Sequence, residues 1–233
     1  MTDTQNTTAP ASLVPEIRPE VWADLEQRYR KLEDTVRRYN PSANFQQIRA
    51  AFEFAAKAHG AQMRKDGSPF ITHPLAVAQI VAEELHLDSE SIEAALLHDV
   101  IEDTDVTFKT LSDKFGPRVA GLVQDMSENK RPELPPEETW LIRKEETISA
   151  LERSADPALK QLFLADKLSN LRGIARDYTE YGDDLWEFFH QKSRAKQSWY
   201  YFRLESALSS LSDTDAFHEF HHLRLRVFEH GEA

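Results

Sequence analysis

The densest chemistry in the sequence is the run His98-Asp99-Val100-Ile101-Glu102-Asp103, where one imidazole and three carboxylates follow the apolar segment Ala94-Ala95-Leu96-Leu97. Charged groups at the end of a core segment are costly unless solvent or a cation pairs with them. On a helix, steps of four residues place Glu102 over His98 and Asp103 over Asp99, giving two adjacent rows of ligands or acid–base groups. His73 stands just before a proline at the end of a loop, from which it can point toward another helix. Asp166 interrupts the apolar stretch Leu162-Phe163-Leu164-Ala165-Asp166-Lys167-Leu168, where Lys167 offers an ordinary ion pair and a metal offers the alternative. His73, His98, Asp99 and Asp166 form a mixed nitrogen and oxygen set suited to Mn²⁺, Fe²⁺ or another borderline ion, with positions left for water and substrate. The chain has no Cys, so thiolate zinc sites, iron–sulfur clusters and a cysteine nucleophile are excluded.

The elements that must position these residues read as helices almost throughout. Leu25, Tyr29, Leu32 and Val36 form one amphipathic stripe, and Phe45, Ile48, Phe52 and Ala55 repeat it after the Asn40-Pro41-Ser42 break. Gly67, Ser68 and Pro69 make residues 60–72 a loop that ends at His73, with Pro74 in the first turn of the next helix. Asp88-Ser89 is an N-cap for a deeply buried helix over Ile92–Val100. Further helices are expected at Phe108–Phe115, Arg118–Met126, Pro136–Ser154, Pro157–Ala175, Asp183–Leu211 and Ala216–Phe228, and no strand pattern competes. The reading is therefore an all-α domain over residues 20–233, preceded by a disordered, Thr- and Pro-rich arm over residues 1–19.

Three ordered blocks carry a resemblance to a known family. Arg64-Lys65-Asp66-Gly67-Ser68-Pro69-Phe70-Ile71-Thr72-His73-Pro74, Ala94 to Thr104, and Ala165-Asp166-Lys167-Leu168-Ser169-Asn170-Leu171-Arg172 resemble the HD-superfamily hydrolase domain of the RelA/SpoT alarmone enzymes, and especially their short, single-domain hydrolases. The resemblance spans residues 45–211 and implies an HD-type helical bundle. It also implies Mn²⁺ held by His73, His98, Asp99 and Asp166, with Glu102 and Asp103 as catalytic carboxylates. Arg64, Lys65 and Asn170 match positions at the nucleotide. The implied activity is removal of the 3′-pyrophosphate of (p)ppGpp or a related purine nucleotide, without synthesis. The alternatives are a phosphohydrolase acting on another nucleotide such as NADPH, and a nucleotide-binding regulator without turnover. One departure bears on base selectivity: Gly173 stands where long members carry a larger residue.

Lys and Arg total 28 against 40 Asp and Glu, a formal charge of −12, which disfavours a general nucleic-acid or anionic-membrane surface. No apolar run reaches transmembrane length and no secretory signal opens the chain, so a cytoplasmic location is expected, with a small nucleotide as partner and oligomeric state open. His218-Glu219-Phe220-His221-His222 satisfies the zinc-protease pattern but lacks the extended motif and a third ligand, so a solvated terminal helix is expected there. His59 is expected to be a hydrogen-bonded structural histidine, with ligation held in reserve. Trp186, Phe189, Trp199, Tyr200 and Phe202 read as packing surface.

Overall fold

A computed structural model describes residues 17–229. The first helix, α1 (Pro19–Tyr39), starts on a proline, whose fixed φ suits a first turn; it buries Leu25, Tyr29, Leu32 and Val36. Helix α2 (Phe45–His59) is capped by the Asn44 side chain, which accepts from the Gln47 amide at 3.2 Å. Helices α3 (Thr72–Glu83) and α4 (Ser89–Leu97) form the centre of the bundle. Asp88 caps α4, accepting from the Ser91 amide at 2.9 Å, and Ala94 to Leu97 are wholly buried. A single turn, α5 (Val100–Asp103), leads to α6 (Phe108–Met126), α7 (Pro136–Arg153), α8 (Pro157–Tyr181), α9 (Arg194–Ala207) and α10 (Asp215–Phe228).

Helix α3 packs on α1, α4 and α8, while α4 also touches α2 and α6. The three long-separated blocks that carry chemistry therefore meet at one place, where the start of α3, the end of α4 and the middle of α8 converge. Helix α10 covers the far side of α8 and packs on α9. Among the described residues the fold is all-α; the only strand-like pairing there is a single antiparallel bridge, Met63 to Pro69, which pinches the loop before α3.

Several boundaries differ from those expected. Of the arm read over residues 1–19, residues 1–16 lie outside the described residues, and α1 already begins at Pro19. The buried helix does not run through Val100: it stops at Leu97, and His98 and Asp99 form a turn before α5. The expected Phe108–Phe115 and Arg118–Met126 helices do form as two segments within α6, separated at Gly116, whose φ of 85° only glycine adopts without strain, followed by Pro117. Helix α8 runs six residues past Ala175. The single helix expected over Asp183–Leu211 is three pieces: Gly182, at φ 55°, turns the chain into a 3-10 segment ending at Phe188, α9 then starts afresh, with Ser193 accepting from the Lys196 amide at 3.3 Å, and a last 3-10 turn spans Ser209–Leu211.

Candidate functional site

His73 lies in the first turn of α3, His98 at the C-terminal cap of α4 and Asp166 in the middle of α8. All three are buried, and one ligand atom from each lies within 4.8 Å of the others. Their second hydrogen bonds fix which nitrogen faces inward. His98 Nδ1 lies 2.9 Å from the Ala95 carbonyl, so it donates there and leaves the Nε2 lone pair aimed at the cluster. His73 Nδ1 is 3.3 Å from the Ser169 hydroxyl, and its Nε2 is 3.0 Å from Asp166 Oδ1. His98 Nε2 is buried without a hydrogen-bond partner, although Asp99 Oδ1 and Asp166 Oδ1 lie 3.1 and 3.8 Å away. An orphaned imidazole nitrogen between two carboxylates is what a divalent cation would complete, and a mixed nitrogen and oxygen donor set fits one of borderline softness.

The electrostatics run the same way. Burial opposes a charge on His98, yet the Asp99 and Asp166 carboxylates outweigh it and raise its pKa to about 9. Asp99 moves oppositely: burial pushes it up, and the His98 charge and hydrogen bond bring it down to about 2. Asp166 is likewise opposed by burial but held well below the carboxylate range by Lys167, His73 and His98. A field that holds a proton between buried carboxylates also attracts a metal cation, which would displace that proton. Lys167 satisfies Asp166 Oδ2 at 2.8 Å, so the ordinary ion pair and the ligand role coexist on two oxygens.

Glu102 and Asp103 occupy α5. His98 and Asp99 form a turn between α4 and α5 but keep right-handed helical backbone angles, and the Asp103 amide donates to the Asp99 carbonyl at 2.9 Å, as the four-residue step expects. Asp103 is paired with Lys130, which also reaches Glu102 at 3.5 Å. Glu102 accepts from the Glu128 amide at 3.0 Å, and burial raises its pKa. Gln62 ties the other side, donating to the Asp103 carbonyl at 3.0 Å while its oxygen meets His59 Nδ1 at 2.9 Å. His59 is thus hydrogen-bonded and outside the ligand group.

Beside the cluster lies a cavity of about 640 Å³, a size that suits a nucleotide, lined by Arg64, Lys65, Asn170, Lys144, Phe189 and Tyr200 among others. The substrate-side residues expected from the sequence therefore share one wall. Asn170 donates to Asp166 Oδ1 at 2.8 Å. Lys65 donates to the Phe188 carbonyl at 2.6 Å and sits over the Phe189 ring. Gly173 lines this cavity and a neighbouring one, and a side chain there would meet no heavy atom within 4 Å. The aromatic stretch read as packing surface is therefore divided: Trp186 is buried, whereas Phe189 and Tyr200 also face the cavity. Glu128, Lys130 and Lys144 were not found by sequence reasoning, because no spacing links the irregular 127–135 segment or α7 to the motifs. At the far end, Glu219 pairs with Arg172 and His221 with Glu205, and none of the residues of the zinc-protease pattern joins a metal group among the described residues.

A helical bundle that gathers His73, His98 and Asp166 beside a cationic, aromatic-lined cavity defines a metal-site domain built for a small charged ligand. The chain belongs to the HD domain family, which it matches over residues 51–189. It is 43% identical over 135 residues to a probable GTP pyrophosphokinase of Mycobacterium leprae, and 41% identical over 129 residues to the guanosine-3′,5′-bis(diphosphate) 3′-pyrophosphohydrolase of Aquifex aeolicus. These matches cover 58% and 55% of this chain but span only 16% and 18% of those relatives. Among solved structures, a metazoan ortholog of SpoT, described as hydrolysing ppGpp, superposes with a TM-score of 0.60 at 26% identity, covering 77% of this chain and 94% of that one. The lmo0812 protein of Listeria monocytogenes EGD-e does so with a TM-score of 0.58 at 30% identity, covering 67% and 99%. Among the described residues no helix is long and apolar enough to cross a membrane.

Proposed function

We propose that this chain hydrolyses the 3′-pyrophosphate of a (p)ppGpp-class purine nucleotide, releasing pyrophosphate and GDP or GTP, with Mn²⁺ held by His73, His98, Asp99 and Asp166. The observation that carries the reading is the orphaned His98 Nε2 between two carboxylates, one of which, Asp166, accepts from Asn170, a residue that lines the nucleotide-sized cavity. The names of the Aquifex relative and of the metazoan structure support the substrate class.

A divalent cation in this site supplies Lewis acidity toward a phosphate oxygen and makes water more acidic. The chain's own residues do the rest. Arg64 carries no ion pair among the described residues, so it is free to stack on a base or meet a phosphate, and Lys65 adds a second cation at the same rim. Asn170, tied to Asp166, stands where a ribose hydroxyl can be met by an amide. Glu102, whose pKa is raised by burial, is suited to take a proton from the attacking water, and Asp103 orients it. Closing water out of the buried cluster strengthens each of these interactions. The site of action is cytoplasmic in this reading, where such nucleotides are made.

The test is product release from ppGpp, ppApp and NADPH in parallel, after metal stripping and Mn²⁺ addition, with wild type and Asp99→Ala. Pyrophosphate release that needs both Mn²⁺ and Asp99 is expected, and the ratio of the two alarmones reads out the base preference that Gly173 leaves open. Orthophosphate from NADPH alone, or tight binding with no turnover, would overturn the proposal. Arg64→Ala is expected to raise KM roughly 10-fold or more, the loss of a charge-assisted contact, with kcat within about 3-fold.

A further inference from the structure

The segment that follows α6 contacts the carboxylates of α5 through two residues, Glu128 and Lys130, and is itself anchored on α7. The Glu128 side chain is nearly enclosed and accepts from Arg143 Nη1 at 2.8 Å, Lys144 Nζ at 2.7 Å and the Thr147 hydroxyl at 3.3 Å, donors on two successive turns of α7. Its backbone amide points the other way and donates to Glu102 Oε2 at 3.0 Å. Two residues on, Lys130 grips Asp103 and reaches Glu102. Between them and α7 lie Arg131, a non-glycine residue at φ 48°, and two prolines at 132 and 135, with Pro136 opening α7, so this stretch is covalently stiff. A surface loop would not ordinarily bury a carboxylate against two cations, because desolvating three charges is costly unless their geometry is held.

We propose that Glu128 is a positioning residue: by locking the 127–131 segment onto α7, it sets an amide on Glu102 and the Lys130 amine against Asp103, and so fixes the carboxylate pair that acts on the attacking water. This rests on the function proposed above, in which Glu102 and Asp103 do that work. Chain connectivity explains why the anchor is on α7: the buried Lys144 also lines the nucleotide-sized cavity, so one carboxylate spans both the wall of the cavity and the carboxylates of α5. A ligand phosphate that draws Lys144 toward itself would pull on Glu128, which couples occupancy of the cavity to the placement of Glu102.

Two measurements test this. In the first, Glu128→Gln, Glu128→Asp, Glu102→Gln and the Glu102→Gln/Glu128→Gln double variant are assayed with Mn²⁺ and the preferred nucleotide. Glu128→Gln is expected to lower kcat 10-fold or more with KM within about 3-fold, Glu128→Asp to recover part of the loss, and the double variant to lose no more than Glu102→Gln alone. Independent, multiplying losses, or wild-type kcat in Glu128→Gln, would overturn the inference. In the second, amide hydrogen exchange of residues 127–131 is read in protein without nucleotide. Glu128→Gln and Glu102→Ala should each speed exchange at the Glu128 amide at least 10-fold while α4 and α8 stay protected; unchanged exchange would overturn it even if the variants folded normally. A wild type that turns over none of the nucleotides would sink the functional reading, while the exchange experiment still decides the anchor.

Discussion

At the scale of single residues, Asp166 engages partners through both of its carboxylate oxygens. Its Oδ1 receives His73 and Asn170, and its Oδ2 receives Lys167. Asp166→Asn keeps the shape but takes from the largely enclosed Lys167 its directly paired carboxylate, and removes one of the two carboxylates beside His98. Breaking one side of an enclosed pair costs about 3–5 kcal/mol. The expected outcome is loss of metal-dependent turnover together with a fall in unfolding free energy toward the low end of that range, read from urea denaturation. A drop below about 1 kcal/mol would make the pair a ligand arrangement with no structural share. Asp166 was legible in the sequence because an acid inside an apolar run demands a partner. Glu128 was not, since its three donors come from a helix whose register against the loop no local pattern announces.

At the scale of elements, α4 is the case where sequence logic worked and then overran. Its cap at Asp88 and its buried run are local properties, and both stand as read. Its end is not local: where the chain turns at His98 and Asp99, the His98 ring is tied back to Ala95 and its Nε2 faces Asp99 and Asp166. The same helix holds Glu93, almost fully buried, whose pKa is raised to about 7 by burial and by the nearby charges of Glu90 and Asp88. The folded chain therefore holds a proton there that the unfolded chain, at an ordinary value of 4.5, has released. Between those two values the native state binds more protons than the unfolded one, so stability is full below about 4.5 and falls as pH rises through about 7. The loss across this window is about 3 kcal/mol. Glu93→Gln should flatten the decline of Tm between pH 5 and 8 relative to wild type, and a parallel decline in both proteins would assign the pH dependence to other groups.

At the scale of the whole molecule, the all-α bundle was readable from periodicity because each helix buries a stripe, whereas the continuation of α8 past Ala175 and the breaks across 183–211 were not. Gly182 and Ser193 end and restart helices through backbone conformation and capping, signals that are weak beside a continuous run of apolar and aromatic residues. What the bundle achieves is convergence: the start of α3, the end of α4 and the middle of α8 are far apart in sequence and contribute His73, His98 and Asp166 to one point. A cation bound there cross-links three core helices and has no preformed site in the unfolded chain, so its binding free energy adds to folding. At a free concentration 100 times the dissociation constant the gain is about 2.7 kcal/mol. For a domain of this length that corresponds to a rise in Tm of roughly 5–10 °C. Adding Mn²⁺ to metal-stripped protein should produce this shift without nucleotide, and the His73→Ala/His98→Ala variant should show none of it. An equal shift in that variant would place the stabilising cation elsewhere in a chain with 40 acidic residues, and would separate the convergence of the three helices from metal binding altogether.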